Sequence, residues 1–202
     1  MIIGLTGTYC SGKNHIASML EKRGFPVLDV DKLGHQVIET EKNAILSQFG
    51  NEVLDSDGKI NRKLLGQKVF GKVQELKVLE DIVHPAVNRE SITWIKTQKH
   101  KTCFINAALL HKSVAFPNLD AIIIVHASFL TRLYRARKRD KLSFGDLLKR
   151  LRSQKGFAIQ YFSTKADIYR VENPERFIFG FLKTRAKIKL ENRLNEILSS
   201  IR

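Results

Sequence analysis

Long apolar runs are missing from this 202-residue chain, and with them any segment of the ~20 residues a helix needs to cross a bilayer. The apolar stretch at residues 1–7 is too short for a signal peptide and leads into a glycine-rich loop, so no targeting segment is expected. Cysteine is scarce, with Cys10 and Cys103 alone. They have no metal-ligand spacing and fall in different predicted elements, which argues against a disulfide framework and for a reduced, cytoplasmic protein. Cys10 is read as a small residue tolerated in its loop rather than as a redox-sensitive thiol. Repeats, linkers and low-complexity tracts are absent. Acids are few, 20 against 35 Lys and Arg, and the resulting charge of +15 with pI near 10.0 points to polyanionic partners without choosing among them. The cluster Asp55-Ser56-Asp57-Gly58 lacks the third acid and the terminal Glu of a calcium loop and is read as a turn. With 43% hydrophobic residues, the chain can bury the core of one domain with a small appended subdomain.

What is present begins at Gly7. The run Gly7-Thr8-Tyr9-Cys10-Ser11-Gly12-Lys13-Asn14 follows the apolar pentad Ile2 to Thr6 and precedes Ile16, Met19 and Leu20 at helical spacing, ending at Gly24. This is the P-loop pattern G-x-x-x-x-G-K, with Asn where Ser or Thr is usual. Its glycines permit a tight turn whose N–H groups converge on phosphate oxygens, and the following helix turns the positive end of its dipole to the same charge. Lys13 would sit over the β- and γ-phosphates. The competing reading is a glycine-rich strand-to-helix turn with no catalytic role.

Strands are predicted at Ile2–Thr6, Pro26–Asp29, Cys103–Ala107, Ala121–His126 and Ile168–Val171, the first and fourth nearly unbroken apolar runs suited to burial on both faces. Helices are predicted through Ile16–Lys22, Arg62–Phe70, Gln74–Val83, Ala86–Gln98, Leu130–Arg139, Phe144–Gln154 and Pro174–Leu198, the last interrupted near Gly180. Such alternation implies an α/β fold, a parallel sheet with helices on both faces. Ligands then bind beyond the carboxyl ends of the strands, where Gly7, Asp29, Asp31 and Ala107 would gather. In Val27-Leu28-Asp29-Val30-Asp31, two acids end an apolar strand, and residues two apart on an extended chain face the same way. One carboxylate there could take the proton of an acceptor hydroxyl during phosphoryl transfer. The alternatives are an N-cap role for Asp31 or Asp29, or an Asp29 that orders magnesium-bound water.

Between Leu130 and Lys155 lie ten Lys or Arg residues against Asp140 and Asp146. Phe129, Tyr134, Phe144 and Phe157 are expected mostly on the apolar stripe with Leu133, Leu147, Leu148 and Leu151, leaving few rings to stack on bases. A phosphate-clamping lid is therefore preferred over a nucleic-acid surface. Trp94 with the Leu/Ile stripe of Ala86–Gln98 is assigned to core packing. The C-terminal basic residues Lys183, Arg185, Lys187, Lys189 and Arg193 are assigned to a solvated helix face.

Taken together, the pieces resemble the dephospho-coenzyme A kinase family, over most of the chain. Ser11-Gly12-Lys13-Asn14-His15 stands where the family has S-G-K-S-T, and Asp29-Val30-Asp31 where it has D-A-D. Asp57-Gly58-Lys59-Ile60-Asn61-Arg62, continued through Leu65 to Val69-Phe70, is similar to its D-G-x-I-N-R-x-x-L-x-x-x-V-F. Leu79, followed by Ile82-Val83-His84-Pro85, matches L-x-x-I-V-H-P. Arg135 and Arg139-Asp140, then Leu142 and Ser143, look like the family's lid. Arg150 to Ser153-Gln154 resembles R-x-x-S-Q, and Ala166-Asp167 with Asn173 resembles A-D-x-x-I-D-N-N. The chain also departs from the pattern. Asn14 replaces a hydroxyl that ligates magnesium, and an amide oxygen is itself a hard ligand. Thr8 and Cys10 stand where glycine is frequent. The segment D-x-P-L-L-x-E appears as Asn106-Ala107-Ala108-Leu109-Leu110-His111-Lys112, without its proline and its acid, which bears on the acceptor side.

The resemblance implies a P-loop NTPase three-layer sandwich with a five-stranded parallel sheet. Its core would comprise about 1–30, 100–130 and 165–202, an acceptor-binding helical segment about 31–99 and a lid about 131–160. It implies ATP and Mg2+ as cofactors, held by Gly7, Thr8, Cys10, Ser11, Gly12, Lys13, Asn14 and His15, with Asn14 as the metal ligand. Asp31 would be the general base toward the ribose 3′-hydroxyl of dephospho-CoA. Lys13 and Arg139 would share the catalytic charge work, and Asp29, Arg62, His84 and Arg135 would contact substrate. Two other functions remain open: a kinase of a nucleoside or nucleotide, and a kinase-derived protein that has lost catalysis and binds nucleic acid. Oligomeric state is left open.

Overall fold

The structure is a computed structural model and describes residues 1–98, 101–154, 156–161, 164–174 and 181–201. Its elements run β1 (Ile2–Gly7), α1 (Lys13–Lys22), β2 (Val27–Asp29), α2 (Val30–Thr40), α3 (Lys42–Phe49), α4 (Arg62–Val69), α5 (Val73–Thr97), β3 (Cys103–Asn106), β4 (Ala121–His126), α6 (Phe129–Arg139), α7 (Phe144–Arg152), β5 (Asp167–Glu172) and α8 (Phe181–Ser200). The chain divides into two compact units, Met1–Val27 with Gln98–Arg202, and Leu28–Thr97.

The first unit carries β1, β3, β4 and β5, and the chain's five strands follow the order β2-β3-β1-β4-β5. β1 is the middle strand. It pairs in parallel with β3, Leu5 opposite Asn106, and with β4, Leu5 opposite Ile123, while β4 pairs in parallel with β5. The expected α/β fold with a five-stranded parallel sheet is borne out. Because side chains alternate along a strand, Ile3 and Leu5 share one face. There they join Ile16 and Leu20 of α1 and Leu190, Leu194 and Ile197 of α8 in one core cluster. The spacing of these α8 residues makes a helical stripe, and their burial drives the helix onto the sheet. On the other face, a Cβ at Gly4 would stand 2.5 Å from Leu110 Cδ2 and 2.8 Å from Leu119 Cδ1. Glycine there lets the segment after β3 pack against the strand.

The second unit is helical. Ile45, Phe49, Val53, Ile60, Leu65 and Val69 form one cluster, and Val37, Ala86 and Val87 a second. The expected helices Gln74–Val83 and Ala86–Gln98 are one helix, α5, with Pro85 inside it. Proline within a helix costs about 3 kcal/mol, through a lost hydrogen bond and a clash with the preceding turn. Here Val78, Leu79 and Ile82 anchor one half and Ala86 and Val87 the other. Burying such side chains contributes about 1.5–3 kcal/mol each when complete, so both halves stay in register.

Asp29 and Asp31 do not lie two apart on an extended strand. β2 ends at Asp29, whose Oδ1 accepts from the Lys32 N–H at 3.0 Å as the N-cap of α2, while Asp31 lies in that helix's first turn. The polar N-cap turns the chain into α2 directly after Asp29, so the strand's alternation does not reach Asp31. Asp55 confirms its turn, its Oδ1 accepting from the N–H groups of Asp57 and Lys59. Trp94 is half-buried rather than core, because α5 buries Ala86, Val87 and Ser91 instead. Phe129, Tyr134 and Phe144 are exposed and not on a buried stripe, since α6 packs through Thr131 and Ala136 and α7 through Leu147 and Leu151. Arg185, Lys187, Lys189 and Arg193 are exposed, as expected of a solvated face. The interruption near Gly180, Lys155 and the side chain of Lys183 lie outside the described residues.

Candidate active site

Three short-range choices of the chain build the loop between β1 and α1. Gly7 ends β1 where a Cβ would meet Ser11 Oγ and the Val125 carbonyl, both at 2.6 Å. The Ser11 N–H donates to the Thr8 carbonyl at 2.9 Å, closing a turn, and Cys10 sits within it at φ 61. Gly12 takes the left-handed conformation, φ 91 and ψ 27, and starts α1. Its carbonyl accepts from His15 at 2.9 Å. A side chain at Gly12 would also run into the Asn173 amide.

Electrostatically the loop is prepared for an anion. No side chain caps α1 and no acid occupies its first turn, so the positive end of the helix is unopposed. The Ser11 hydroxyl and the Thr8 hydroxyl are buried with no hydrogen-bond partner among the described residues. Buried hydroxyls without partners cost about 1–3 kcal/mol each, so the loop carries polar groups that its own fold leaves unsatisfied.

The loop's own carbonyls are held from behind. Arg135 Nη1 donates to the Ser11 carbonyl at 3.0 Å and the Cys10 carbonyl at 3.4 Å, while its Nη2 donates to Pro174 at 3.1 Å and Asn173 at 3.5 Å. The Asn173 amide donates to the Ser11 carbonyl at 2.8 Å. Arg135 therefore orients the loop itself. Arg132, three residues earlier on the same face of α6, has buried Nε and Nη1 groups without partners among the described residues. Burial pushes the Arg132 guanidinium down from its ordinary value.

Arg139, one turn beyond Arg135, forks onto Asp140, with Nε to Oδ1 at 2.9 Å and Nη2 to Oδ2 at 3.1 Å. This pair raises the Arg139 guanidinium further and lowers the Asp140 carboxyl below its usual range. Asp140 also accepts from the Tyr9 hydroxyl. Tyr9 is a site residue that the loop pattern hides, because that pattern treats its intervening positions as interchangeable. An aromatic ring among small residues, in an arginine-rich chain, is the signal that could have marked it.

Lys13 opens α1, Asn14 and His15 are exposed in its first turn, and Cys10 is half-buried. Burial raises the Cys10 and Cys103 thiols, and both cysteines are free. Asn14 Oδ1 accepts from Asn106 Nδ2 at 3.3 Å, at the carboxyl end of β3. No group of three or more His, Cys, Asp or Glu among the described residues could hold a metal ion. Amide oxygens are hard donors, and magnesium takes few protein ligands when phosphates and water supply the rest, so Asn14 fits that ion in kind.

The remaining expected site residues belong to the helical unit. Asp29 and Asp31 stand at the start of α2. Arg62 is the exposed first residue of α4, behind the Asn61 cap, which accepts from Lys63 and Leu64 N–H groups at 3.0 and 3.2 Å. His84 is exposed in the middle of α5 and does not precede a turn.

A strand, a phosphate-type loop and a helix at the centre of a parallel sheet describe many nucleotide-dependent enzymes, and comparison with known proteins narrows them. The dephospho-CoA kinase family model matches residues 1–166. The dephospho-CoA kinase of Halalkalibacterium halodurans is 37% identical over 165 residues, covering 77% of this chain and 80% of that protein. A crystal structure from Thermus thermophilus superposes with a TM-score of 0.78 at 29% identity, covering 100% of this chain and 98% of the other. Shikimate kinase from Bacteroides thetaiotaomicron, at 13% identity and TM-score 0.53 over 98% of each chain, shares the fold. The chain belongs to the dephospho-CoA kinase family.

Proposed function

We propose that this protein transfers the γ-phosphoryl group of ATP to the ribose 3′-hydroxyl of dephospho-CoA, giving coenzyme A and ADP. The observation that carries the reading is the loop Gly7–Asn14, with left-handed Gly12 and an uncapped helix start free of acids. Loop N–H groups and the Lys13 ammonium hold the β- and γ-phosphates and balance the charge that grows on the leaving oxygen. Asp31 takes the 3′-hydroxyl proton as the oxygen–phosphorus bond forms and the bond to the β-phosphate oxygen breaks. Arg139 presents guanidinium N–H groups to the transferring phosphoryl, and Arg135 keeps the loop in shape behind it. Arg62, His84 and Asp29 serve the acceptor side. Asn14 would hold magnesium together with phosphate oxygens and water, and the ion would supply charge neutralisation.

A second acceptor class, nucleosides or nucleotides, would share the loop and lid but not the Ile60-Asn61-Arg62 and Val83-His84-Pro85 segments, and the altered segment Asn106–Lys112 leaves the acceptor side to be tested. Coupled ADP release with dephospho-CoA and with a nucleoside panel tests the choice. Turnover with dephospho-CoA alone supports the proposal, and turnover confined to the panel overturns it. With neither acceptor turned over and DNA or RNA bound with steep salt dependence, the non-catalytic reading stands.

A further inference from the structure

Tyr9 joins the phosphate loop to both lid helices. Its main-chain N–H donates to Gln154 Oε1, just past α7, at 2.5 Å. Its hydroxyl donates to Asp140 at the end of α6. The guanidinium carbons of Arg139 and Arg150 lie over its ring, 5.0 and 5.1 Å from the centroid. Asp140 grips the Nε and Nη2 edge of Arg139, which leaves Nη1 outside that fork. A guanidinium held by a carboxylate on one edge keeps its plane and offers the other edge to a second anion. Burial, followed by the bond to Asp140, raises the Tyr9 phenol, so it stays protonated and donating at neutral pH.

We propose that Tyr9 is a positioning residue: through its ring, and through Asp140, it orders the cations Arg139 and Arg150 before a nucleotide arrives at the loop. Arginine is flexible, and ordering it in advance removes part of the entropy cost from nucleotide binding. The inference rests on the reading of this loop as an ATP site.

The test is ATP affinity by calorimetry, without acceptor, for the wild type, Tyr9→Phe and Tyr9→Leu, each also in an Arg139→Ala background. Tyr9→Leu is expected to weaken ATP binding about tenfold and Tyr9→Phe, which keeps the ring, about threefold. In the Arg139→Ala background the Tyr9→Leu penalty shrinks to less than about threefold, because of the two cations it positions only Arg150 remains. An equal penalty in both backgrounds, or a Tyr9→Leu affinity within about twofold of wild type, overturns the proposal. If Tyr9→Leu fails to fold by circular dichroism, the same comparison with Tyr9→Phe decides. A wild type that binds no ATP refutes the loop assignment itself, whereas a wild type that binds ATP and ignores Tyr9 substitutions refutes this inference alone.

Discussion

Asn14 Oδ1 accepts a hydrogen bond from Asn106 Nδ2 at 3.3 Å, joining the start of α1 to the end of β3. In the resemblance drawn from the sequence, both positions depart from the pattern, Asn14 at its hydroxyl residue and Asn106 at the first acid of D-x-P-L-L-x-E. Asn106 is buried, and its Oδ1 already lacks a partner among the described residues. Asn14 and Asn106 are therefore expected to behave as one unit. Asn14→Ser alone strands the Asn106 amide at about 1–3 kcal/mol, a melting point lower by about 2–4 °C per kcal/mol. Asn14→Ser with Asn106→Asp restores a hydroxyl–carboxylate pair and is expected to reach half-maximal rate at lower magnesium than wild type. Strictly additive effects on melting and on magnesium dependence would contradict the coupling.

Lys13→Ala removes the ammonium from the phosphate loop. Turnover is expected to fall at least about 10²-fold, with the melting curve close to wild type. Steady-state rates beside circular dichroism check this, and an unchanged rate refutes the role.

The two acids of Asp29-Val30-Asp31 separate by substitution, because Asp29 caps α2 and Asp31 does not. Asp29→Ala is expected to cost about 1 kcal/mol of stability and Asp29→Asn almost none, since Asn caps equally well. Asp31→Asn leaves ATP binding near wild type and slows the chemical step in single-turnover experiments. A lowered melting point at normal rate would make Asp31 structural.

Gly12 occupies backbone space that only glycine enters freely, at φ 91, with the Asn173 amide where a Cβ would go. Gly12→Ala is expected to destabilise by about 1 kcal/mol or more and to abolish detectable ATP binding. Calorimetry and thermal melting test both parts, and retained affinity would show that the loop tolerates a different shape.

Patterns that depend on neighbours in sequence were legible in advance. The buried strands Ile2–Gly7 and Ala121–His126 and the loop after β1 follow from local apolar spacing and glycine placement. Pro85 misled, because whether a helix survives a proline depends on how both halves are anchored at a distance. Asp31 misled through strand alternation, which stops where the Asp29 cap turns the chain into a helix. Arg135 was legible as a cation of the site, but its grip on the carbonyls of Cys10, Ser11, Asn173 and Pro174 arises only after distant segments meet. The same holds for Tyr9 and Asp140, which lie 131 residues apart in the chain.

The most direct measurement is incubation of the purified protein with ATP, magnesium and dephospho-CoA, with the product identified by mass and the phosphorylated position by NMR. The account predicts coenzyme A carrying the new phosphate on the ribose 3′ oxygen, together with equimolar ADP. ADP release without phosphorylated dephospho-CoA, or a phosphate on any other oxygen, would contradict it.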